Sequence, residues 1–288
     1  MRILKTSLAL AISERIISIL FGRAGITIGS SSEDDICVND LSFFSDLLFG
    51  DSLGLGDSYI AGKWDSNKID ELVFKILSSG IYQKVSRLYN IVQSITRKFS
   101  NPQSRTGAKQ VIEQHYDLPA NFFASFLDPY MQYTCGFFND TESLGEAQIQ
   151  KMDLICQKLK LTRGTRVLDI GCGWGGLAMF MHERYGAIPT GLTLSQEQAN
   201  WIKKRMPQME VWVCDYRDVP KVMTDKFDAV SAVGVFEHVG HRNYADFINV
   251  VNTAMKKGGR FLLHTLFTPY SNPASDPWLT KHIFPNGA

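Results

Sequence analysis

An apolar pentad, Arg166-Val-Leu-Asp-Ile170, runs straight into four glycines within six residues, Gly171-Cys-Gly-Trp-Gly-Gly176, and then into a helical stretch reaching about Tyr185. This order of strand, glycine turn and helix constrains the fold more than any other feature of the chain. Further strand candidates follow at 188–194, 210–214, 227–233 and 260–266, with helices between most of them, as at 195–206 and 244–255. Strand–helix alternation at this spacing predicts an α/β architecture built on a doubly wound, mostly parallel sheet. Such sheets bind ligands beyond the carboxyl ends of their strands.

The rest of the chain reads differently. Residues 6–21 predict an amphipathic helix: the apolar run Leu8-Ala-Leu-Ala-Ile12 stops at Ser13-Glu14-Arg15, too soon for a secretory core or a bilayer span. Gly50-Asp-Ser-Leu-Gly-Leu-Gly-Asp57 reads as turns. No acidic residue occurs between Glu71 and Glu113, and within that interval Ile81, Val85, Leu88, Tyr89, Val92, Ile95 and Phe99 share one helical face. Lys84, Arg87, Arg97 and Lys98 lie elsewhere on the wheel, so the helix either packs inward or lies on anionic lipid. Asn101-Pro-Gln-Ser-Arg-Thr-Gly107 reads as a linker. The expected organisation is a smaller, mixed but mainly helical domain at 1–100, a linker at 101–110 and the α/β domain at 111–288. A net charge of +1 gives no field for a nucleic-acid partner. Five scattered cysteines without CxxC spacing fit neither a disulfide framework nor a zinc site, and suit a reducing cytoplasm.

Gly171, Gly173 and Gly176 satisfy GxGxxG, which alone could mean a nicotinamide dinucleotide. That ligand calls for an acidic residue ending the second strand, where this chain has Gly191-Leu-Thr-Leu-Ser195. Asp169, two residues before the first glycine, instead suits a cationic amino-acid tail, and the glycines suit close approach of a bulky ligand. S-adenosylmethionine (SAM) has such a tail and no pyrophosphate. DxGxGxG at a strand end is the pattern of Rossmann-like class I SAM methyltransferases. His238 and His241 offer HxxH spacing with no apparent third ligand, so no metal is expected.

Seven motifs then occur in order: Gln132-Tyr-Thr-Cys-Gly-Phe-Phe138, Val167 to Gly176, Gly191 to Gln198, Asp215-Tyr-Arg-Asp218, Phe236-Glu-His-Val-Gly240, Leu263-His-Thr265 and Asp276-Pro-Trp278. From His115 to Gly287 the chain resembles the cyclopropane-fatty-acyl-phospholipid synthase family, and residues 43–77 resemble that family's N-terminal domain more loosely. The resemblance implies SAM contacts at Tyr133, Thr134, Gly171, Gly173, Thr193, Leu194, Gln198, Tyr216 and Arg217, with Asp169 beside them. Thr134 stands where the family usually has Ser, and Tyr216 suits stacking on adenine. Gln198 also completes a capping-box pattern with Ser195.

It further implies a bound bicarbonate as base, within a shell that maps onto Cys135, Glu237, His264 and Leu266. The implied reaction adds a methylene across the cis double bond of an unsaturated acyl chain in a phospholipid. Alternatives are methylation without ring closure, or a SAM- or lipid-binding remnant without turnover. Tyr133, Phe137, Phe138 and Phe236 are candidates to face a carbocation. The implied partners are phospholipid and a membrane surface, with the protein cytoplasmic and peripheral at the inner face; a homodimer or a separately encoded C-terminal part stays open. The sequence ends at Ala288, where the family continues with another Tyr of the base shell, helices of the acyl tunnel and the last sheet strands. Ring formation by this chain alone is accordingly expected to be weak or absent, with SAM binding retained.

Overall fold

A computed structural model describes residues 2–29, 31, 35–81, 119–221, 226–267 and 276–282. The expected basic helix beyond Ile81 and the expected linker at 101–110 lie outside these residues. The chain divides into two compact units, Met1–Ser100 with Asn272–Ile283, and Asn101–Ser271 with Phe284–Ala288. The stretch Asn272–Ile283, placed with the α/β domain on sequence grounds, thus groups with the N-terminal unit.

In the first unit, α1 (Arg2–Arg23) precedes β1 (Ile28–Gly29), β2 (Ile36–Val38), α2 (Ser42–Ile60), β3 (Trp64–Asp65) and α3 (Ile69–Ser78). The three short strands form one sheet in the order β1-β2-β3. Ile17, Phe21, Ile36, Phe43, Leu47, Trp64, Leu72 and Ile76 make its core. The turns expected at residues 50–57 are not there: α2 runs through them, broken only at Asp51, whose φ is 54°. The glycines serve close approach instead. A Cβ on Gly54 would sit 1.8 Å from the Asp46 carbonyl oxygen, and one on Gly56 2.2 Å from the Trp278 indole. Trp278 belongs to a short helix at Pro277–His282. Next to it, Asp57 accepts hydrogen bonds from Lys281 Nζ and His282 Nε2, both at 2.6 Å.

The second unit holds α4 (Ala120–Ala124), α5 (Leu144–Leu159), β4 (Arg166–Ile170), α6 (Gly176–Tyr185), β5 (Ile188–Thr193), α7 (Gln196–Arg205), β6 (Glu210–Val213), β7 (Phe227–Val233), α8 (Tyr244–Ala254) and β8 (Met255–His264); α9 (Pro277–His282) follows in the first unit. The sheet order is β6-β5-β4-β7-β8, parallel at every pairing. The α/β fold class expected from the sequence is therefore observed. The chain runs outward from β4 to β6, then returns to add β7 on the other side of β4, so the topological switch falls between β4 and β7.

Alternation along β4 sorts the two faces. Leu168 and Ile170 pack with Phe247, Val250 and Val251 of α8. Val167, together with Ala229 of β7, packs with Met152, Ile155 and Cys156 of α5 and Leu177 and Phe180 of α6. Asp169 and Ser231 keep step with Val167 and Ala229 and so share the α5 face. The helix ends follow local chemistry: Ser143 caps α5 by accepting from Glu146 N, and Ser195 caps α7 by accepting from Gln198 N.

The Gly56 contact yields a test. Alanine in a helix interior normally gains about 0.5–1 kcal/mol over glycine, but here its methyl meets the indole, and overpacking costs about 1–3 kcal/mol. We expect Gly56→Ala to lower stability in thermal unfolding. A raised melting temperature would show that α9 is not seated on α2.

Candidate active site

The glycine turn after β4 is shaped by crowding on three sides and space on the fourth. Gly171, Gly173 and Gly175 all have positive φ, at 76°, 54° and 80°. Cβ atoms would meet Val235 at Gly171, Ile202 at Gly175 and the Tyr130 carbonyl at Gly176, each within 3.0 Å. A Cβ on Gly173 would meet nothing within 4 Å. The open flank of the turn is therefore at Gly173, where a ligand can reach the backbone. The Gly171 and Cys172 amides both donate to the Leu192 carbonyl, which fixes the turn to β5.

Asp169 lies at the floor of this turn, 2% exposed, and Oδ1 accepts a 2.7 Å hydrogen bond from Ser231 Oγ. The two residues are register partners across β4 and β7. Among the described residues no cation pairs with it, and burial pushes its carboxyl up to about 6, against the pull of the Ser231 hydrogen bond.

Thr193, the last residue of β5, is buried and donates from Oγ1 to Gln198 Oε1 at 2.6 Å; it also accepts from Ser195 N at 3.1 Å. The capping pattern is thus divided: Ser195 caps the helix, while the Gln198 side chain turns to Thr193. Leu194, between Thr193 and Ser195 in the chain, is half-buried. Beyond β6, Arg217 grips Asp215 in a fork, Nε to Oδ1 at 2.8 Å and Nη2 to Oδ2 at 3.0 Å. Its guanidinium lies 5.0 Å from the Tyr216 ring centroid, and Phe247 meets that ring edge-on at 5.1 Å. At most one face of Tyr216 is left for a flat base.

The loop carrying Tyr133, Thr134 and Cys135 is held from two directions. Asp128 accepts from the Tyr130 and Gln132 amides at 2.9 and 2.7 Å. From α5, Gln148 Nε2 donates to the Thr134 carbonyl at 2.8 Å and Lys151 Nζ to Thr134 Oγ1 at 2.6 Å. Thr134 packs against Gly234, where a Cβ would come within 2.5 Å of its methyl. Lys151 was missed on sequence grounds. Its signal was position: it falls on the same helical face as the buried Ala147 and Ile155, four residues to either side.

At the far end of β7 and β8 the four candidates for the base shell come together in pairs. Cys135 Sγ lies 3.7 Å from His264 Nε2. Glu237 Oε1 accepts from the Leu266 amide at 2.7 Å, so that N–H is committed to Glu237. Two atoms remain buried without a partner among the described residues, Glu237 Oε2 and His264 Nδ1. Of the four aromatic candidates, Tyr133, Phe137 and Phe138 are about half exposed, whereas Phe236 is stacked on Tyr244 with centroids 4.2 Å apart.

Residues 103–288 match the family model for mycolic acid cyclopropane synthetase. The chain is 41% identical over 276 residues to the cyclopropane-fatty-acyl-phospholipid synthase of Escherichia coli strain K12, covering 95% of this chain and 71% of that enzyme. Two solved structures share the fold. The cyclopropane synthase MmaA2 from Mycobacterium tuberculosis matches with TM-score 0.56 and 32% identity, over 62% of this chain and 68% of that one. The mycolic acid cyclopropane synthase CmaA1, complexed with SAH and CTAB, matches with TM-score 0.50 and 35% identity, over 54% and 55%. On sheet order, glycine turn and these matches together, the chain belongs to the mycolic acid cyclopropane synthetase family, within the class I SAM-dependent methyltransferases.

Proposed function

We propose that this chain transfers a methylene from SAM to the cis double bond of an unsaturated acyl chain in a phospholipid, with bicarbonate as the base. The observation that carries the reading is a pair of buried atoms without a partner among the described residues, Glu237 Oε2 just after β7 and His264 Nδ1 at the end of β8. Glu237 Oε2 can accept a proton-bearing oxygen, and His264 Nδ1 can donate to an anionic one. That donor set fits bicarbonate, which carries both kinds of oxygen. Family membership and the SAH named with CmaA1 support the SAM part.

When bound, SAM supplies an electrophilic methyl and bicarbonate supplies a base. The protein's residues hold, orient and shield. Gly173 leaves the backbone open for the ligand, and Asp169 offers a negative charge to its cationic tail. Thr193 and Gln198, locked to each other, form the wall beside β5. Attack by the alkene on the methyl leaves a carbocation on the acyl chain, and losing one methyl proton closes the ring. Water must be kept from that cation, and the faces of Tyr133, Phe137 and Phe138 both exclude it and favour positive charge. Glu237, anchored by the Leu266 amide, and His264, held beside Cys135, fix the base where that proton leaves. The membrane surface reading rests on the acid-free interval at 72–112, most of which lies outside the described residues.

Gas chromatography of lipids from synthase-null cells expressing the chain tests the reaction. We expect slow but measurable ring formation, cut at least tenfold by Glu237→Gln. A methyl-branched or methylene product would favour methylation without ring closure, and no product from a chain that binds SAH would contradict the proposal.

Asp169 gives a second test with opposite effects on stability and binding. Its folded pKa of about 6 exceeds the ordinary aspartate value of 3.8, so the folded state binds more protons between these values and stability falls as pH rises through that window. We expect Asp169→Asn to be more stable than the parent at pH 7, by up to about 3 kcal/mol, and to bind SAH at least tenfold more weakly. Unchanged SAH affinity in calorimetry would remove Asp169 from the site.

A further inference from the structure

Lys151 is a buried charge that the roles above leave unused. It is 4% exposed on α5, and among the described residues no carboxylate lies within ion-pair distance of its ammonium. Burial pulls its pKa down to about 8, against the fields of Asp128 and Cys135. A buried lysine without a counter-ion is costly, and an apolar side chain would fill the same space more cheaply.

The hydroxyl it touches is fixed as an outward donor. An ammonium only donates, so Thr134 Oγ1 is the acceptor and the hydroxyl proton must go to another group. Contact with Gly234 fixes the methyl, and Gln148 takes the carbonyl. What remains is one donor, backed by a positive charge, suited to an anion.

Its placement matches the buried anion of the same site. Asp169 and Ser231 alternate in step with Val167 and Ala229, whose face packs against α5. Gly234, which seats Thr134, follows Ser231 by three residues, about 10 Å along an extended chain. An α-amino acid zwitterion with one hydrogen bond of about 3 Å at each end spans a similar length. A carboxylate held by the Ser231 hydroxyl and a Thr134 hydroxyl backed by an ammonium thus lie near the glycine turn, whose Gly171 meets Val235, the residue after Gly234.

We propose that Lys151, acting through the Thr134 hydroxyl, positions the carboxylate of SAM's amino-acid tail while Asp169 faces its ammonium. Lys151 is a positioning residue: it touches Thr134 and not the ligand. The inference rests on the SAM-site reading above.

Calorimetry with two probes separates this role from a structural one. SAH carries the amino-acid tail, and 5′-methylthioadenosine keeps the nucleoside and sulfur without it. Lys151→Met should weaken SAH by about 10- to 100-fold, the range for losing a charge-assisted hydrogen bond, and change methylthioadenosine by less than about threefold. Thr134→Val should give the same selective loss, and the double variant should be no worse than either single one. Equal weakening of both probes, or unchanged SAH affinity, would overturn the inference. If Lys151→Met does not fold, Thr134→Val decides alone. Failure of the folded parent to bind either probe would refute the SAM-site reading itself.

Discussion

A carboxylate buried without a counter-charge is the constraint around which the α/β unit is arranged. Among the described residues Asp169 meets only the Ser231 hydroxyl, and burial holds its carboxyl well above the usual range. Such a group is expensive to keep inside a protein unless something outside completes it. Its position is set by topology: β4 and β7 are neighbours where the winding of the sheet reverses, and their register puts Asp169 opposite Ser231. The glycine turn follows from the same place, since a larger residue at Gly171 or Gly176 would strike Val235 or the Tyr130 carbonyl.

From that point the candidate site extends along the carboxyl edge of the sheet. The β5 end contributes the Thr193–Gln198 wall, the β6 end Tyr216 and Arg217, and the β7–β8 end the Glu237–Leu266 and Cys135–His264 pairs. The two ends have different chemistry. On the proposed reading the β4–β5 side offers charge and backbone to a zwitterionic ligand, whereas the β8 side offers acceptor and donor atoms that have no partner among the described residues. A strong electrophile needs little activation, so holding, aligning and drying are what such a site has to supply.

The parallel sheet was legible because buried strands and glycine turns leave a local record: β4, β5, β6 and β7 stand within one residue of their expected bounds. Close approach leaves a more ambiguous one. At Gly54 and Gly56 the glycines read as turns, since the groups that require them, the Asp46 carbonyl and the distant Trp278 ring, are invisible to a local reading. β8 begins at Met255 rather than at Arg260 because its pairing with β7 resumes across an irregularity at Phe227/Ala229. Phe236 was a candidate to face a carbocation, yet it stacks on Tyr244 and packs, half-buried, against the core. Lys151 went unseen because a lysine on an amphipathic helix is usually read as solvated; only its phase, shared with buried Ala147 and Ile155, marks it.

We infer that Asp169 is held ready for a cation. Carbon-detected NMR of the aspartate carboxyls, titrated with and without SAH, reports on it directly. We expect a carboxyl titrating near 6 in the free protein, absent from Asp169→Asn, whose pKa falls by at least one unit when SAH is bound. An Asp169 pKa that does not move on SAH binding would contradict it.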